Sequence, residues 1–255
     1  MQFGVCGSPV DGPWMKAAGA DFIEAHVQAF LKPMDTAWTP EVAPEALALP
    51  VDAYNCFLPG NLPVVGPAVN LDAVRSYVER ACARARQMGS SVIVFGSGGA
   101  RKVPDGWPRE KGEEQLVESM RVIGPVAKAA GITVVMEPLN RGETNLLNST
   151  AEGLGYIRRA AAPGIAILAD FYHFTLEKEP LDDLDRAGPL LAHVHMAEPV
   201  GRIAPGPAMT DYRPFFHRLK TIGYDARISL ECGWKDIRTQ LGPTLEFLRK
   251  DWKAA

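Results

Sequence analysis

The segment Val-Val-Met-Glu at 134–137 is a short apolar run that ends in a residue able to bind a metal ion. Three later segments also end a probable strand in a metal-binding residue, namely Ile-Leu-Ala-Asp at 167–170, His-Val-His at 193–195 and Ile-Ser-Leu-Glu at 228–231. Runs of this length and composition are typical of buried β-strands. Their last residues lie 33, 25 and 36 positions apart, about the length of one strand and one helix. Successive parallel strands would therefore bring the four side chains to one end of a sheet.

Eight segments of this kind recur along the chain, and patterns typical of helices separate most of them. We predict strands over 2–7, 21–27, 51–58, 91–96, 132–139, 165–172, 191–198 and 226–233. The first long helix begins after the N-cap Asn70 and stops at Gly89. Further helices are predicted over 112–130, from a cap at Ser149 or Thr150 to before Pro163, over 212–222 and over 237–253, with a weaker candidate over 181–187.

This alternation has no interior linker or low-complexity stretch, so it predicts an α/β fold with a single (β/α)₈ barrel domain spanning residues 1–255. The alternative is an open doubly wound sheet. It is disfavoured because no Gly-x-Gly-x-x-Gly turn follows an early strand. The glycine-rich run 96–99 follows the fourth predicted strand and lacks the Lys-Ser/Thr of a P-loop. We interpret it as a loop at the barrel mouth.

Composition excludes several classes of partner. The net charge of −3 gives no polybasic surface for nucleic acid. No 18-residue apolar stretch and no basic leader is present, so we expect neither membrane insertion nor secretion. The four cysteines are scattered without CxxC spacing, which is typical of reduced thiols in a cytoplasmic protein. Whether the chain forms a homo-oligomer stays open.

The four strand-end residues Glu137, Asp170, His195 and Glu231 form the predicted metal site. Any single acidic residue at a strand end can instead be a helix cap or an ion-pair partner. Four on consecutive strands favour a shared site, because catalytic residues of such barrels lie at the C-terminal strand ends. Oxygen and nitrogen ligands favour Mn²⁺, Mg²⁺ or Co²⁺ over a thiolate-rich zinc site.

The two histidines at 193 and 195 point to the same side of their strand, because side chains alternate with a period of two. His195 is nearer the C-terminal end and is the predicted ligand, whereas we expect His193 to be a hydrogen-bonded histidine one layer deeper. His26 is a candidate for the mouth after the second strand. His217 is expected on a helix surface.

Four segments resemble signatures of the xylose-isomerase-like TIM-barrel superfamily: Glu-Pro-Leu-Asn-Arg-Gly-Glu at 137–143, Asp-Phe-Tyr-His at 170–173, His-Val-His-Met-Ala-Glu at 193–198 and Leu-Glu at 230–231. Within it they are most similar to D-tagatose/D-psicose 3-epimerases and hydroxypyruvate isomerase. The motif-bearing resemblance covers the second half of the chain. It implies one divalent metal ion, Mn²⁺ first with Mg²⁺, Co²⁺ or Zn²⁺ open, held by the four residues named above.

The resemblance also implies an acid/base pair, Glu137 and Glu231, and substrate contacts from Glu143 and His173. Arg202 has a counterpart in the family arginine that follows the His-x-His motif, with one extra residue in between. An exposed loop charge is its alternative. From its position three residues past Glu231, Trp234 is the best aromatic candidate for covering a sugar face.

The predicted metal site and this resemblance together imply a metal-dependent isomerase, a ketose 3-epimerase or hydroxypyruvate isomerase type of enzyme. Its small-molecule substrate would be a ketose or small hydroxy-ketone that reacts through an enediolate. An inosose dehydratase-like lyase is the main alternative. An endonuclease IV-like phosphodiesterase needs additional histidines on the third and fourth strands, which contain none. A non-catalytic sugar-binding barrel would have little use for two carboxylates of this kind.

Loops after the first four strands would set substrate size. The candidate wall residues are Trp14, Trp38, Phe57, Arg101 and Trp107, each of which has loop packing as its alternative. Arg101 and Lys102 leave a phosphorylated sugar open.

Overall fold

Eight parallel strands pair in chain order, and the eighth pairs with the first, so that the sheet closes into a barrel. The structure is a computed structural model that describes residues 1–207 and 210–255. The strands are β1 (Gln2–Cys6), β2 (Ile23–His26), β3 (Val51–Asn55), β4 (Val92–Phe95), β5 (Thr133–Met136), β6 (Ile165–Asp170), β7 (Leu191–Met196) and β8 (Arg227–Leu230). This arrangement confirms the predicted (β/α)₈ barrel.

All eight strands end one to three residues earlier than the sequence predicts. At β5 the reason is visible in the chain, because Pro138 follows Glu137 and has no backbone N–H to continue the ladder. Glu137 and Glu231 consequently lie just beyond β5 and β8, whereas Asp170 and His195 lie within β6 and β7. The shorter strands leave more of each C-terminal end free to form loops.

Helices occupy the outside of the barrel. The α-helices of the described residues are α1 (Gly12–Ala17), α2 (Leu71–Gln87), α3 (Gly98–Arg101), α4 (Arg109–Ala129), α5 (Thr150–Ala160), α6 (Phe171–Leu176), α7 (Asp182–Ala187), α8 (Arg213–Thr221) and α9 (Ile237–Ala254). Asn70 caps α2 as predicted, and Ser149 rather than Thr150 caps α5. The short helices α1, α3 and α6 were not predicted, because they are too brief to show a 3.6-residue period.

Alternating side chains divide the interior into two apolar clusters. The smaller one lies inside the barrel, since Val135 and Leu168 share the strand face of Glu137 and Asp170. A register shift between Ile167 and Leu168 pairs Asp170 with His195 across β6 and β7. Two of the four predicted ligands are therefore direct neighbours in the sheet.

None of the helices in 1–207 and 210–255 is long and apolar enough to cross a membrane.

Candidate metal centre and active site

The structure brings Glu137, Asp170, His195 and Glu231 together at the C-terminal end of the barrel. One ligand atom from each lies within 4.8 Å of the ligand atoms of the other three. Glu137, Asp170 and His195 are almost completely buried, and Glu231 is partly exposed. The four side chains thus form one compact group of three carboxylates and one imidazole, as the sequence predicted.

The imidazole of His195 lies at the centre of this group. Its Nδ1 atom is 3.1 Å from Oε1 of Glu137 and 3.4 Å from Oε2 of Glu231. The same ring nitrogen therefore faces two carboxylates that come from different strands. Nδ1 is the atom of His195 that is available to a metal ion.

Asp170 has two roles at the end of β6. Its Oδ1 atom accepts a hydrogen bond of 2.9 Å from the backbone N–H of Tyr172 and so caps α6. Its Oδ2 atom lies 3.4 Å from Nε2 of His173 and 3.5 Å from Nη2 of Arg202. The carboxylate is thus both a helix cap and a member of the cluster, and the cap fixes its orientation.

Glu24 belongs to this site and was not predicted from the sequence. It lies on β2, is fully buried, and its Oε1 atom is 2.9 Å from Nε2 of His195. Its other oxygen is 2.7 Å from Nε2 of His193. The one available signal was a charged residue inside the apolar run Phe-Ile-Glu-Ala at 22–25, because a buried charge requires a partner.

Electrostatics in the cluster favour a cation. Burial raises the pKa of Glu137 and of Asp170, and the neighbouring carboxylates raise both further. Burial alone would lower the pKa of His195, but the carboxylates of Glu24, Glu231 and Glu137 raise it well above its usual value. A divalent cation would relieve the repulsion among these carboxylates, and oxygen and nitrogen donors suit a hard ion. The residues therefore fit a divalent metal ion.

Glu231 differs from Glu137 in its surroundings. Burial by itself would raise the pKa of Glu231, but the charges of His195 and Arg202 bring it below the usual value. Arg202 Nη2 is 2.5 Å from Oε2 of Glu231, and Arg202 Nη1 is 3.4 Å from Oε1 of Glu143. The arginine thus connects the cluster to the more exposed Glu143. It is not an isolated loop charge.

His173 lies behind Asp170. The side chain is buried, and its Nδ1 atom accepts a hydrogen bond of 3.1 Å from the backbone N–H of Asn140. Burial, followed by the charge of Arg202, lowers the pKa of His173 to about 3, so the ring is neutral. Its proton is consequently on Nε2, directed at Asp170. The structure thus places His173 against Asp170, and its predicted substrate contact stays a prediction.

A cavity of about 270 Å³ opens beside the cluster. Glu137, Glu231, Glu143 and Arg202 are among its lining residues, and so is His26, the candidate for the barrel mouth. The cavity is lined also by Gln28, Asn55, Cys56, Leu58, Gly96, Ser97, Gly98 and Leu139. The polar side chains in its wall and its size fit a small hydroxylated molecule.

Gly96 allows the close approach of Glu137. A Cβ atom at position 96 would lie 2.1 Å from Oε2 of Glu137, so a larger residue would displace that carboxylate. The predicted loop at 96–99 is indeed at the mouth, although Gly98–Arg101 forms the short helix α3.

The predicted wall residues pack within the loops. Phe57 is fully buried in the core, Trp14 and Trp38 donate their indole N–H groups to Asp11 and to the Phe30 carbonyl, and Trp107 bonds Gln115. None of these side chains is among the cavity-lining residues in the described part of the chain. Trp234 is half-buried against the core and is likewise outside this lining.

The structure contradicts the role expected for Arg101 as a cavity-wall residue that could bind a phosphate. The side chain is completely buried and donates to the carbonyl groups of Gly96, Leu146, Leu147 and Glu137 at 2.5 to 3.2 Å. All of its guanidinium donors bind the backbone of the loops after β4 and β5, and among these carbonyls that of Leu147 also accepts a hydrogen bond from the N–H of Leu139. Arg101 therefore holds the loops that carry the site and is not positioned to bind a phosphate.

The closed parallel barrel with carboxylate and imidazole side chains at its C-terminal end defines a class of (β/α)₈-barrel proteins in which these side chains could hold a metal ion. Within that class, the chain belongs to the xylose isomerase-like TIM barrel family, whose model matches residues 13–251.

Sequence relatives include several sugar epimerases. The 3-dehydro-D-guloside 4-epimerase of Escherichia coli (strain K12) is 33% identical over 122 residues, which are 47% of this chain and 46% of that protein. The ketose 3-epimerase of Arthrobacter globiformis is 36% identical over 145 residues, or 54% of this chain and 48% of that protein. The chain thus matches about half the length of these curated relatives.

Solved structures match over nearly the whole chain. A D-psicose 3-epimerase crystallised in the presence of D-fructose superposes with a TM-score of 0.84 at 19% identity, covering 99% of both chains. The 3-keto-D-glucoside 4-epimerase from E. coli, in its apo form, gives 0.83 at 21% identity and covers 98% of this chain and 99% of that one. At these identities the likeness shows the shared fold.

Proposed function

We propose that this protein is a divalent-metal-dependent sugar epimerase or isomerase, acting on a ketose or small hydroxy-ketone through an enediolate. The observation that carries the proposal is the placement of Glu137 and Glu231. Both carboxylates contact Nδ1 of His195, and both line the same cavity. The epimerase names of the sequence relatives support a reaction of this class.

Two carboxylates suit inversion of a carbon that carries an acidic proton. Glu137 follows β5 and Glu231 follows β8, with β6 and β7 between them on the shorter way round the barrel. Because they come from different strands, we propose that one removes a proton from one face of a planar intermediate while the other returns a proton to the opposite face. Return to a neighbouring carbon would give isomerisation instead.

We propose Glu137, Asp170, His195 and Glu231 as the ligands of one divalent ion, Mn²⁺ first with Mg²⁺, Co²⁺ or Zn²⁺ open. When bound, such an ion acts as a Lewis acid that stabilises negative charge developing on substrate oxygens. Arg202 and Glu143 are the proposed contacts to substrate hydroxyl groups, because both line the cavity and contact each other. His173 and Trp234 stay weaker candidates.

The step that follows proton removal separates the proposed enzyme from the alternative lyase. An inosose dehydratase-like enzyme would also begin by removing a proton next to a carbonyl, but would then eliminate water.

The four cysteines are free thiols, which supports a reducing, cytoplasmic location for this enzyme.

The test is to incubate the Mn²⁺-loaded protein with a panel of ketoses and keto-glycosides in deuterated water. After the incubation the metal is removed from the mixture, and the sugars are analysed by NMR. Deuterium incorporation together with a new epimer or isomer would support the proposal. Loss of water would identify the lyase instead. Absence of both exchange and product across the panel, from protein shown to contain the metal, would contradict it.

A further inference from the structure

Glu24 is a completely buried acid that none of the steps above uses. Its two oxygens each face a histidine ring nitrogen: Oε1 is 2.9 Å from Nε2 of His195, and Oε2 is 2.7 Å from Nε2 of His193. All three side chains are fully buried. A carboxylate accepts hydrogen bonds, so this geometry requires a proton on Nε2 of both rings.

We propose that Glu24 is a positioning residue that holds the His195 imidazole with Nδ1 directed at Glu137, Asp170 and Glu231, and that His193 in turn holds Glu24. This inference rests on the metal centre of the proposed function. Metal-binding histidines generally donate their second N–H to a carboxylate, which fixes the ring and its tautomer. Here that donor atom is Nε2, so the lone pair available to a metal is on Nδ1.

The position of Glu24 argues against a role in fold stability alone. β2 and β7 are not neighbours, because β8 and β1 lie between them in the closed sheet. The contact between Glu24 and His195 therefore crosses the barrel interior, where an apolar side chain would normally fill the layer. A carboxylate at this depth is costly to bury and is compensated only by its partners.

Without Glu24, the ring of His195 has two alternatives. It can rotate about its Cβ–Cγ bond, or it can carry its proton on Nδ1 rather than on Nε2. Either change turns a lone pair away from the three carboxylates and weakens the site. His193 prevents a related failure by binding the second oxygen of Glu24, and Ser229 Oγ lies 3.3 Å from the same His193 nitrogen. The carboxylate is consequently held at both oxygens.

The first test compares Mn²⁺ binding to the wild type, Glu24→Gln and Glu198→Gln by EPR of free Mn²⁺. Glu198 is a matched control, because it is a buried acid near the barrel mouth that binds Tyr212 and Thr210 rather than a histidine. We expect about 10- to 100-fold weaker binding for Glu24→Gln and a change within about twofold for Glu198→Gln. Thermal unfolding without metal would report any loss of fold stability separately.

Equal affinities of Glu24→Gln and wild type would overturn the proposal, and so would an equal loss in both variants. Should Glu24→Gln fail to fold, ¹⁵N NMR of the histidine-labelled wild type decides the question. We expect Nε2 of His195 to carry a proton both without metal and with Zn²⁺ bound, and a bare Nε2 in either state would refute the role of Glu24. Failure of the wild type to bind Mn²⁺ would instead contradict the proposed function, while the metal-free spectrum would still test the Glu24 contact.

Discussion

Arg202 and Glu231 come from consecutive loops at the barrel mouth, and Nη2 of the arginine lies 2.5 Å from Oε2 of the glutamate. Arg202 has a left-handed backbone conformation with φ of 48°, and its carbonyl accepts a hydrogen bond of 2.7 Å from the N–H of Gly233. The two loops are therefore connected by the backbone as well as by the ion pair. A fixed cation thus borders the cavity next to one of the two proposed acid/base groups.

The first prediction concerns this cation. We expect Arg202→Ala to raise KM by about 10-fold or more, because it removes a proposed contact to substrate oxygens. Mn²⁺ affinity should not fall, since the substitution removes a positive charge from the carboxylate cluster. Steady-state kinetics and metal titration check the two expectations. Arg141→Ala is the control, because Arg141 is exposed and pairs with Glu177 away from this cavity. Loss of Mn²⁺ binding without a change in KM would contradict the proposed role.

The second prediction concerns the ligands. We expect Asp170→Asn and His195→Ala each to weaken Mn²⁺ binding by more than about 100-fold and to abolish nearly all activity, while circular dichroism shows a folded barrel. Elemental analysis after dialysis measures the bound metal. Glu143→Gln is the comparison, since it should retain the metal and mainly weaken substrate positioning. Full metal occupancy in both ligand variants would refute the four-ligand site.

The third prediction is a pH dependence of metal binding. The pKa values of Asp170, Glu137 and His195 are raised in the metal-free protein, so these groups hold more protons near neutrality than ordinary side chains would. A metal ion needs them deprotonated and must displace those protons. Mn²⁺ affinity should therefore rise with increasing pH, and proton release should be measurable in weakly buffered solution. A pH-independent affinity with no proton release would contradict this expectation.

The grouping of the candidate ligands could be predicted from the sequence because its signal is local, although every strand ends one to three residues earlier than predicted. Glu137, Asp170 and Glu231 each close an apolar run, and the spacing of one strand and one helix is enough to gather them. Glu24 and Arg101 could not be assigned in the same way. The partners of Glu24 lie across the barrel, and those of Arg101 are carbonyl groups whose direction depends on loop conformation. Sequence patterns indicate that such buried charges need partners but do not identify them.

The fourth prediction tests the structural role of Arg101. We expect Arg101→Leu to lower the free energy of unfolding by about 3 to 5 kcal/mol, because three buried carbonyl groups would be left without this donor and the Leu147 carbonyl would keep only the N–H of Leu139. Lys102→Ala, a change at the exposed neighbour, should stay within about 0.5 kcal/mol. Urea unfolding of the metal-free proteins measures both. Unchanged stability of Arg101→Leu, combined with a specific loss of binding for phosphorylated sugars, would restore the phosphate-binding interpretation.

The fifth prediction concerns the two faces of the intermediate. If Glu137 and Glu231 act as an acid/base pair, Glu→Gln at either position should abolish epimerisation in both directions, because one carboxylate removes the proton and the other supplies its replacement. Each substitution leaves one carboxylate beside the cavity. That group can still exchange the substrate proton with solvent, slowly and with retained configuration.

NMR of a substrate ketose in deuterated water measures this difference. Each variant is first loaded with Mn²⁺, and the bound metal is quantified so that loss of the ion is not mistaken for loss of the base. We expect deuterium at the reacting carbon without a new epimer. Normal inversion by a metal-loaded Glu137→Gln or Glu231→Gln enzyme would exclude the two-carboxylate mechanism even if all four ligands proved correct. A single group would then have to remove the proton from the reacting carbon and also return it.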